Sequence, residues 1–248
     1  MGKPINLILF LICFLAAQED NKEKILFVGN SFTFYWNLPL VVESMAKEKG
    51  YDFNIYQSTA GGSSLKDHWF EDYELQSKTL ISSGQFNRAV LQDYSSNPLN
   101  NPVESNLYFK KFINLILENQ GKPYLYATWI YDGITNNTYD MADPIQRTLK
   151  SVAKSEGAII VPVDEAFRIF QKTNPEIPLF MSDRKHPSPA GTYLAACVYF
   201  SIFTEESSLG LSRRFERQDE NGKKIFLIMV EKLTALECQK VADAVCFK

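Results

Sequence analysis

Three residues of this chain have the types and the setting for nucleophilic chemistry. Ser31 follows Gly29 and Asn30 where the apolar run Ile25-Leu26-Phe27-Val28 stops. A serine hydroxyl is a weak nucleophile until a neighbouring base takes its proton. The chain holds two histidines, His68 and His186, so a base working near neutral pH is one of them. His186 stands three residues after Asp183, in Asp183-Arg184-Lys185-His186-Pro187. On one turn, that carboxylate can hold the imidazole Nδ1 and leave Nε2 free to take a proton from a serine. Pro187 and Pro189 stiffen the turn. Taken alone, Gly-x-Ser at a strand end reads first as a plain turn.

Positioning such groups requires a frame, and strand-like and helix-like stretches alternate along the chain. The strand of residues 24–29 is followed by helical spacing over Leu38 to Lys49, then by a strand at Phe53 to Tyr56. Residues 64–83 read as a helix stopped by Gly84, Ala89 to Leu91 as a strand, and Glu104 to Asn119 as an amphipathic helix. Tyr124 to Ile130 and Ala158 to Val163 are strand-like, with a helical stretch from Pro144 to Glu156 between them. This order predicts an α/β fold, a parallel sheet of about five strands with helices on both faces. Ligands in such sheets bind at the carboxyl ends of the strands. Ser31, Gly61-Gly62 and Gln92-Asp93 all stand at such ends. Pro189 to Thr204 reads as a buried helix, residues 206–224 as a charged loop, and residues 225–244 as a helix returning to the body.

Composition narrows the class. One lysine, an apolar run from Ile5 to Ala17 and small residues at its end fit a secretory signal peptide over residues 1–17, with an uncleaved anchor as the alternative. The run is too short to span a bilayer comfortably, so no stable membrane span is expected after cleavage. The chain carries a formal charge of −3, and removing one lysine with residues 1–17 takes it to −4. That offers no broad basic surface for nucleic acid. Cys197, Cys238 and Cys246 remain, with no CxxC spacing, so neither a disulfide framework nor a zinc site is expected. A continuous helix would hold Cys238 and Cys246 about 12 Å apart, so only a break between them would let them pair.

Four short blocks in order resemble the SGNH (GDSL-like) hydrolases. Gly29-Asn30-Ser31-Phe32 looks like the nucleophile block in a GNS variant, and Ala60-Gly61-Gly62-Ser63-Ser64 like the second block, whose glycine N–H helps bind an oxyanion. Asp183-x-x-His186 looks like the last block. The third departs from the usual Gly-x-Asn-Asp, whose Asn side chain is an oxyanion donor. Here the strand ends Leu91-Gln92-Asp93-Tyr94-Ser95, similar to a branch with an LQ-x-x-S block. Gln92 also carries an NH₂ donor and is the expected third donor, with Asn97 as its competitor. The resemblance covers essentially the whole of residues 18–248 and implies one flavodoxin-like three-layer α/β/α domain.

It also implies acyl transfer from an ester, with Ser31 as nucleophile, His186 as base and Asp183 as its orienter. The oxyanion would rest on the N–H groups of Ser31 and Gly62 and the amide of Gln92, with no metal or organic cofactor. Aromatic residues near the strand ends suit a sugar face, which points to short acyl esters, acetyl above all, on a small molecule or polysaccharide. His68, Trp36 and Trp129 are the expected substrate contacts. A lipid or thioester hydrolase, transfer to a sugar instead of water, and a non-catalytic carbohydrate-binding protein on the same fold remain alternatives.

Overall fold

The computed structural model describes residues 22–132, 134 and 143–248. The expected signal segment lies outside them. Five strands form a parallel sheet: β1 (Glu23–Gly29), β2 (Phe53–Thr59), β3 (Arg88–Leu91), β4 (Lys122–Tyr126) and β5 (Ile159–Val161), in the order β2-β1-β3-β4-β5. The order reverses between β1 and β3, and such a switch point opens a crevice at the carboxyl edge. Register fixes what meets there, since Gly29 pairs with Thr59 on one side and Val28 with Leu91 on the other. β1 is the innermost strand of the site, and Ile25 through Val28 are all buried. That explains its unbroken apolar run, because a strand covered on both faces has no solvent side to alternate with.

Helices cover both faces. On one lie α1 (Leu38–Glu48), α4 (Val163–Thr173), α5 (Pro189–Thr204) and α6 (Lys232–Cys246). On the other, α2 (Pro102–Glu118) packs with α3 (Pro144–Glu156) and with short helices at Leu65–Phe70 and Ser77–Ser82. The three-layer α/β/α architecture is as expected. α5 is buried on every side, between the sheet and α6, in keeping with a sequence that is apolar all round. Ser188 caps it by accepting from the Gly191 N–H, and Pro189 occupies its first turn. Tyr199 and Phe203 pack against Phe27, with ring centroids 5.2 and 6.3 Å away.

Three expectations about elements are corrected. Residues 64–83 do not form one helix: Glu71, Tyr73 and Glu74 take positive φ and break it between Leu65–Phe70 and Ser77–Ser82. β4 stops at Tyr126: the Ala127 N–H still donates to the Val161 carbonyl of β5, but the Ala127 carbonyl accepts from the Asp164 N–H, already inside α4. Helix α4 itself has no counterpart in the expected alternation. Finally, residues 214–229 form an antiparallel hairpin, β6 (Arg214–Gln218) with β7 (Lys224–Met229), where loop and helix were expected. A short apolar run such as Ile225 to Val230 fits either a strand or a buried helix turn, and the polar turn at Asp219–Lys223 closed it as a hairpin. Cys238 and Cys246 share the continuous α6, and both are free thiols. No described helix is long and apolar enough to cross a membrane.

Candidate active site

Ser31 opens a four-residue helix, Ser31–Phe34, directly after β1. Asn30 makes the bend possible. Its extended backbone ends the strand and its side chain accepts from the Phe32 N–H, which caps the helix. The same side chain donates to the Ser63 carbonyl at 2.9 Å, tying the serine turn to the Gly61-Gly62 loop. Gly29 cannot carry a side chain, since a Cβ there would lie 2.4 Å from Thr33 Oγ1 and 2.6 Å from Gln92 Oε1.

The loop between α4 and α5 brings the third segment in. Asp183 Oδ1 accepts from the Lys185 and His186 N–H groups, both at 3.0 Å, and its Oδ2 lies 2.6 Å from His186 Nδ1. Arg184 adopts φ +55°, the left-handed conformation that curls this loop back on itself. His186 Nε2 then lies 2.9 Å from Ser31 Oγ, across 155 residues of sequence. With Nδ1–H donating to a carboxylate, Nε2 presents its lone pair to the serine hydroxyl. Desolvation raises the Asp183 pKa, but the hydrogen bonds from His186 and the two backbone N–H groups outweigh it and hold the carboxyl down at about 2. Tyr35 stacks on the imidazole at 4.2 Å between centroids and 9° between planes, and Phe32 meets it edge-on at 5.6 Å.

These groups open into a cavity of about 420 Å³. Besides Ser31 and His186, its walls include Phe34, Tyr35, Gly61, Gly62, Tyr94, Ser95 and Lys185. Gly62 sits at φ +74°, a conformation that favours glycine, and a Cβ on either Gly61 or Gly62 would meet nothing within 4 Å. Among the described residues, the backbone N–H groups of Ser31 and Gly62 have no hydrogen-bond partner. A larger cavity of about 550 Å³ lies beyond Trp129, but its described lining contains no serine and no histidine. Its buried acid, Asp164, is pushed up to about 8 by burial and accepts from the Gln146 and Glu165 N–H groups. The smaller cavity is the one onto which Ser31 and His186 open.

Five candidate site residues do not reach that cavity. Gln92 is fully buried behind it. Its Oε1 accepts from the Asn30 N–H and the Thr33 hydroxyl, both at 2.9 Å, and its NH₂ is turned to the Asp93 carbonyl. The amide is therefore committed inside the wall. The competitor Asn97 points its NH₂ at Asp93 Oδ1, 3.3 Å away. His68 is likewise fully buried. Trp36, at φ +47°, packs against the core and is absent from the cavity wall. Trp129 is sandwiched between Phe32 and Phe167, at 4.6 and 4.3 Å, and its Nε1–H donates to the Lys185 carbonyl. It steadies the histidine loop from behind. The cavity's aromatic lining comes instead from Phe34, Tyr35 and Tyr94, and Lys185 Nζ lies 5.6 Å from the Tyr94 ring centroid. Phe34 and Tyr35 belong to the aromatic run after Ser31, while nothing in the sequence distinguished Tyr94 from its neighbours.

No protein-family model matches this sequence, and no curated protein matches it either. Solved structures do. A candidate SGNH hydrolase from Slackia heliotrinireducens superposes with a TM-score of 0.61 at 22% identity, over 74% of this chain and 100% of that one. An acetyl xylan esterase superposes with a TM-score of 0.59 at 16% identity, over 72% of this chain and 98% of its own. This is the SGNH hydrolase fold. A DUF4886-family protein from Bacteroides uniformis shares it over a longer span, with a TM-score of 0.67 at 17% identity, 92% of this chain and 96% of the other. In this SGNH-fold chain the sheet order, the serine after β1 and the histidine before α5 all meet at one edge.

Proposed function

We propose that the protein is an exported serine esterase that removes short acyl groups, acetyl above all, from a carbohydrate ester. The observation that carries this reading is the continuous chain Ser31 Oγ, His186 Nε2, His186 Nδ1, Asp183 Oδ2, with steps of 2.9 and 2.6 Å across its two hydrogen bonds. Ser31 Oγ attacks the ester carbonyl as its proton passes to His186 Nε2. The tetrahedral oxyanion rests on the N–H groups of Ser31 and Gly62, where loss of one donor costs about 3 kcal/mol of transition-state stabilisation. Collapse breaks the C–O bond to the alcohol, which leaves with the proton from His186. Water then attacks acyl-Ser31 by the same route, and the acid departs. Asp183 stays ionised throughout and holds the imidazolium in place.

The compact cavity supports a small acyl group, and the fold shared with an acetyl xylan esterase supports acetyl on a sugar. Phe34, Tyr35 and Tyr94 supply flat apolar faces of the kind sugar rings pack on. The reading of residues 1–17 as a signal peptide supports export. A chain-length series of 4-nitrophenyl esters, run with the wild type and Ser31→Ala, tests the proposal. Acetate is expected to be the best substrate, with Ser31→Ala inactive and folded. Full activity in Ser31→Ala would remove the nucleophile, and an optimum at long acyl chains would point to a lipase.

A further inference from the structure

His68 lies behind the cavity wall, yet its Nε2 reaches both segments that supply the backbone N–H groups. Its Nε2 lies 3.0 Å from the Gly29 carbonyl and 3.0 Å from Ser63 Oγ. A carbonyl oxygen only accepts, so Nε2 carries the proton. Nδ1 lies 2.6 Å from the Ser77 hydroxyl. Ser58 Oγ, 2.8 Å from Ser77 Oγ, extends the chain to β2. The imidazole is neutral: burial outweighs the Gly29 carbonyl and Asp67 and lowers its pKa to about 4.

The atoms it holds are significant. The Gly29–Asn30 peptide is gripped at both ends, its carbonyl by His68 Nε2 at 3.0 Å and, at 3.3 Å each, by the Ala60 N–H and Ser63 Oγ, and its N–H by Gln92 Oε1. That peptide immediately precedes the one that carries the Ser31 N–H. On the other side, Ser63 follows Gly62, and its hydroxyl donates to the Ala60 carbonyl at 2.9 Å. The short helix bearing His68 is itself anchored, by a capping box between Ser64 and Asp67 and by the Leu65 N–H donating to Asp93 Oδ1 at 2.9 Å. One imidazole therefore joins the end of β1 to the Gly61-Gly62 loop.

We infer that His68 is a positioning residue that sets the Ser31 and Gly62 N–H groups against each other, through the Gly29 carbonyl and Ser63. The inference rests on the reading of Ser31 as nucleophile. It assigns Gln92 the matching role on the other end of the same peptide. A misplacement of about 1 Å in such a site costs about 100-fold in rate, whereas a residue that only fills space affects folding alone.

The test compares His68→Leu with His68→Gln on 4-nitrophenyl acetate, with rates counted per site labelled by an organophosphonate. His68→Leu is expected to lower kcat and kcat/KM by the same factor, about 10- to 100-fold, as follows when an interaction is expressed in the transition state. Affinity for a methylboronic acid, a mimic of the tetrahedral intermediate, falls in parallel. His68→Gln, whose amide can return a donor to the Gly29 carbonyl, is expected to recover most of the loss. Unchanged kcat per labelled site in His68→Leu, or no recovery in His68→Gln, overturns the inference. Should His68→Leu not fold, Ser63→Ala decides the same question, with a fall of roughly five-fold expected, the scale of one neutral hydrogen bond, and no fall against it. Wild-type turnover without labelling at Ser31 would instead overturn the nucleophile reading, a distinguishable result.

Discussion

His68 and His186 are the only histidines of the chain, and both lie within reach of the serine turn, one behind it and one in front. His68 touches hydroxyls and a carbonyl, with no water-exposed surface. His186 keeps about a fifth of its side chain exposed, faces a carboxylate on one nitrogen and a serine hydroxyl on the other, and stacks on Tyr35. The charged form is disfavoured at the first, whereas the second has a carboxylate for a partner. Neutral partners with burial make an imidazole a rigid connector, while a carboxylate and an aromatic face make it able to accept and hold a proton. Residue type says nothing about which of these a histidine becomes.

The comparison can be broken most directly at the exposed member. His186→Ala is expected to lower ester turnover by about 10⁴-fold or more, with the circular dichroism spectrum unchanged. If the two histidines were interchangeable as bases, activity would survive. Asp183→Asn is expected to lower kcat by about 10³- to 10⁴-fold, because an amide can hold the imidazole in the wrong tautomer. A loss below ten-fold would show that Asp183 does not orient His186.

The smallest effect concerns stability. The folded His68 titrates at about 4, below the ordinary 6.5, so the unfolded chain takes up the proton first. Stability contributed by the neutral, buried imidazole is therefore present above about pH 6.5 and is lost as pH falls towards 4. The full step is on the order of 3 kcal/mol. His68→Gln has no such step, so the stability difference between wild type and variant, read from urea unfolding at pH 7 and pH 4, should shrink by that amount. Taking the difference cancels Asp164, whose raised value slopes the other way between about pH 4 and 8. A difference that does not change with pH would mean that His68 is not held neutral.

Much of the fold was legible because periodicity reports burial. The unbroken run of Ile25 to Val28 marked a strand covered on both faces, and the all-apolar α5 marked a helix with no solvent side. The hairpin at 214–229 was not legible, since six apolar residues carry too few periods to separate strand from helix. Nor was the break after Phe70, which depends on three residues taking positive φ.

Sequence by itself determined the parts whose geometry is local. Asp183 and His186 stand on one turn, so their contact follows from three residues of spacing, and Asn30 caps the helix that lifts Ser31 off the strand end. Tertiary structure alone decided which polar groups face the cavity and which face the wall. Gln92 and His68 carry the right atoms for an oxyanion or a substrate, yet both are spent on the Gly29–Asn30 peptide. The reason is physical. A buried backbone N–H or carbonyl left unpaired costs about 1–3 kcal/mol; at the end of β1 Gln92 pairs the Asn30 N–H, and His68 joins the Ala60 N–H and Ser63 on the Gly29 carbonyl. The direction of a side chain at a strand end is set by such distant demands, which no local spacing records.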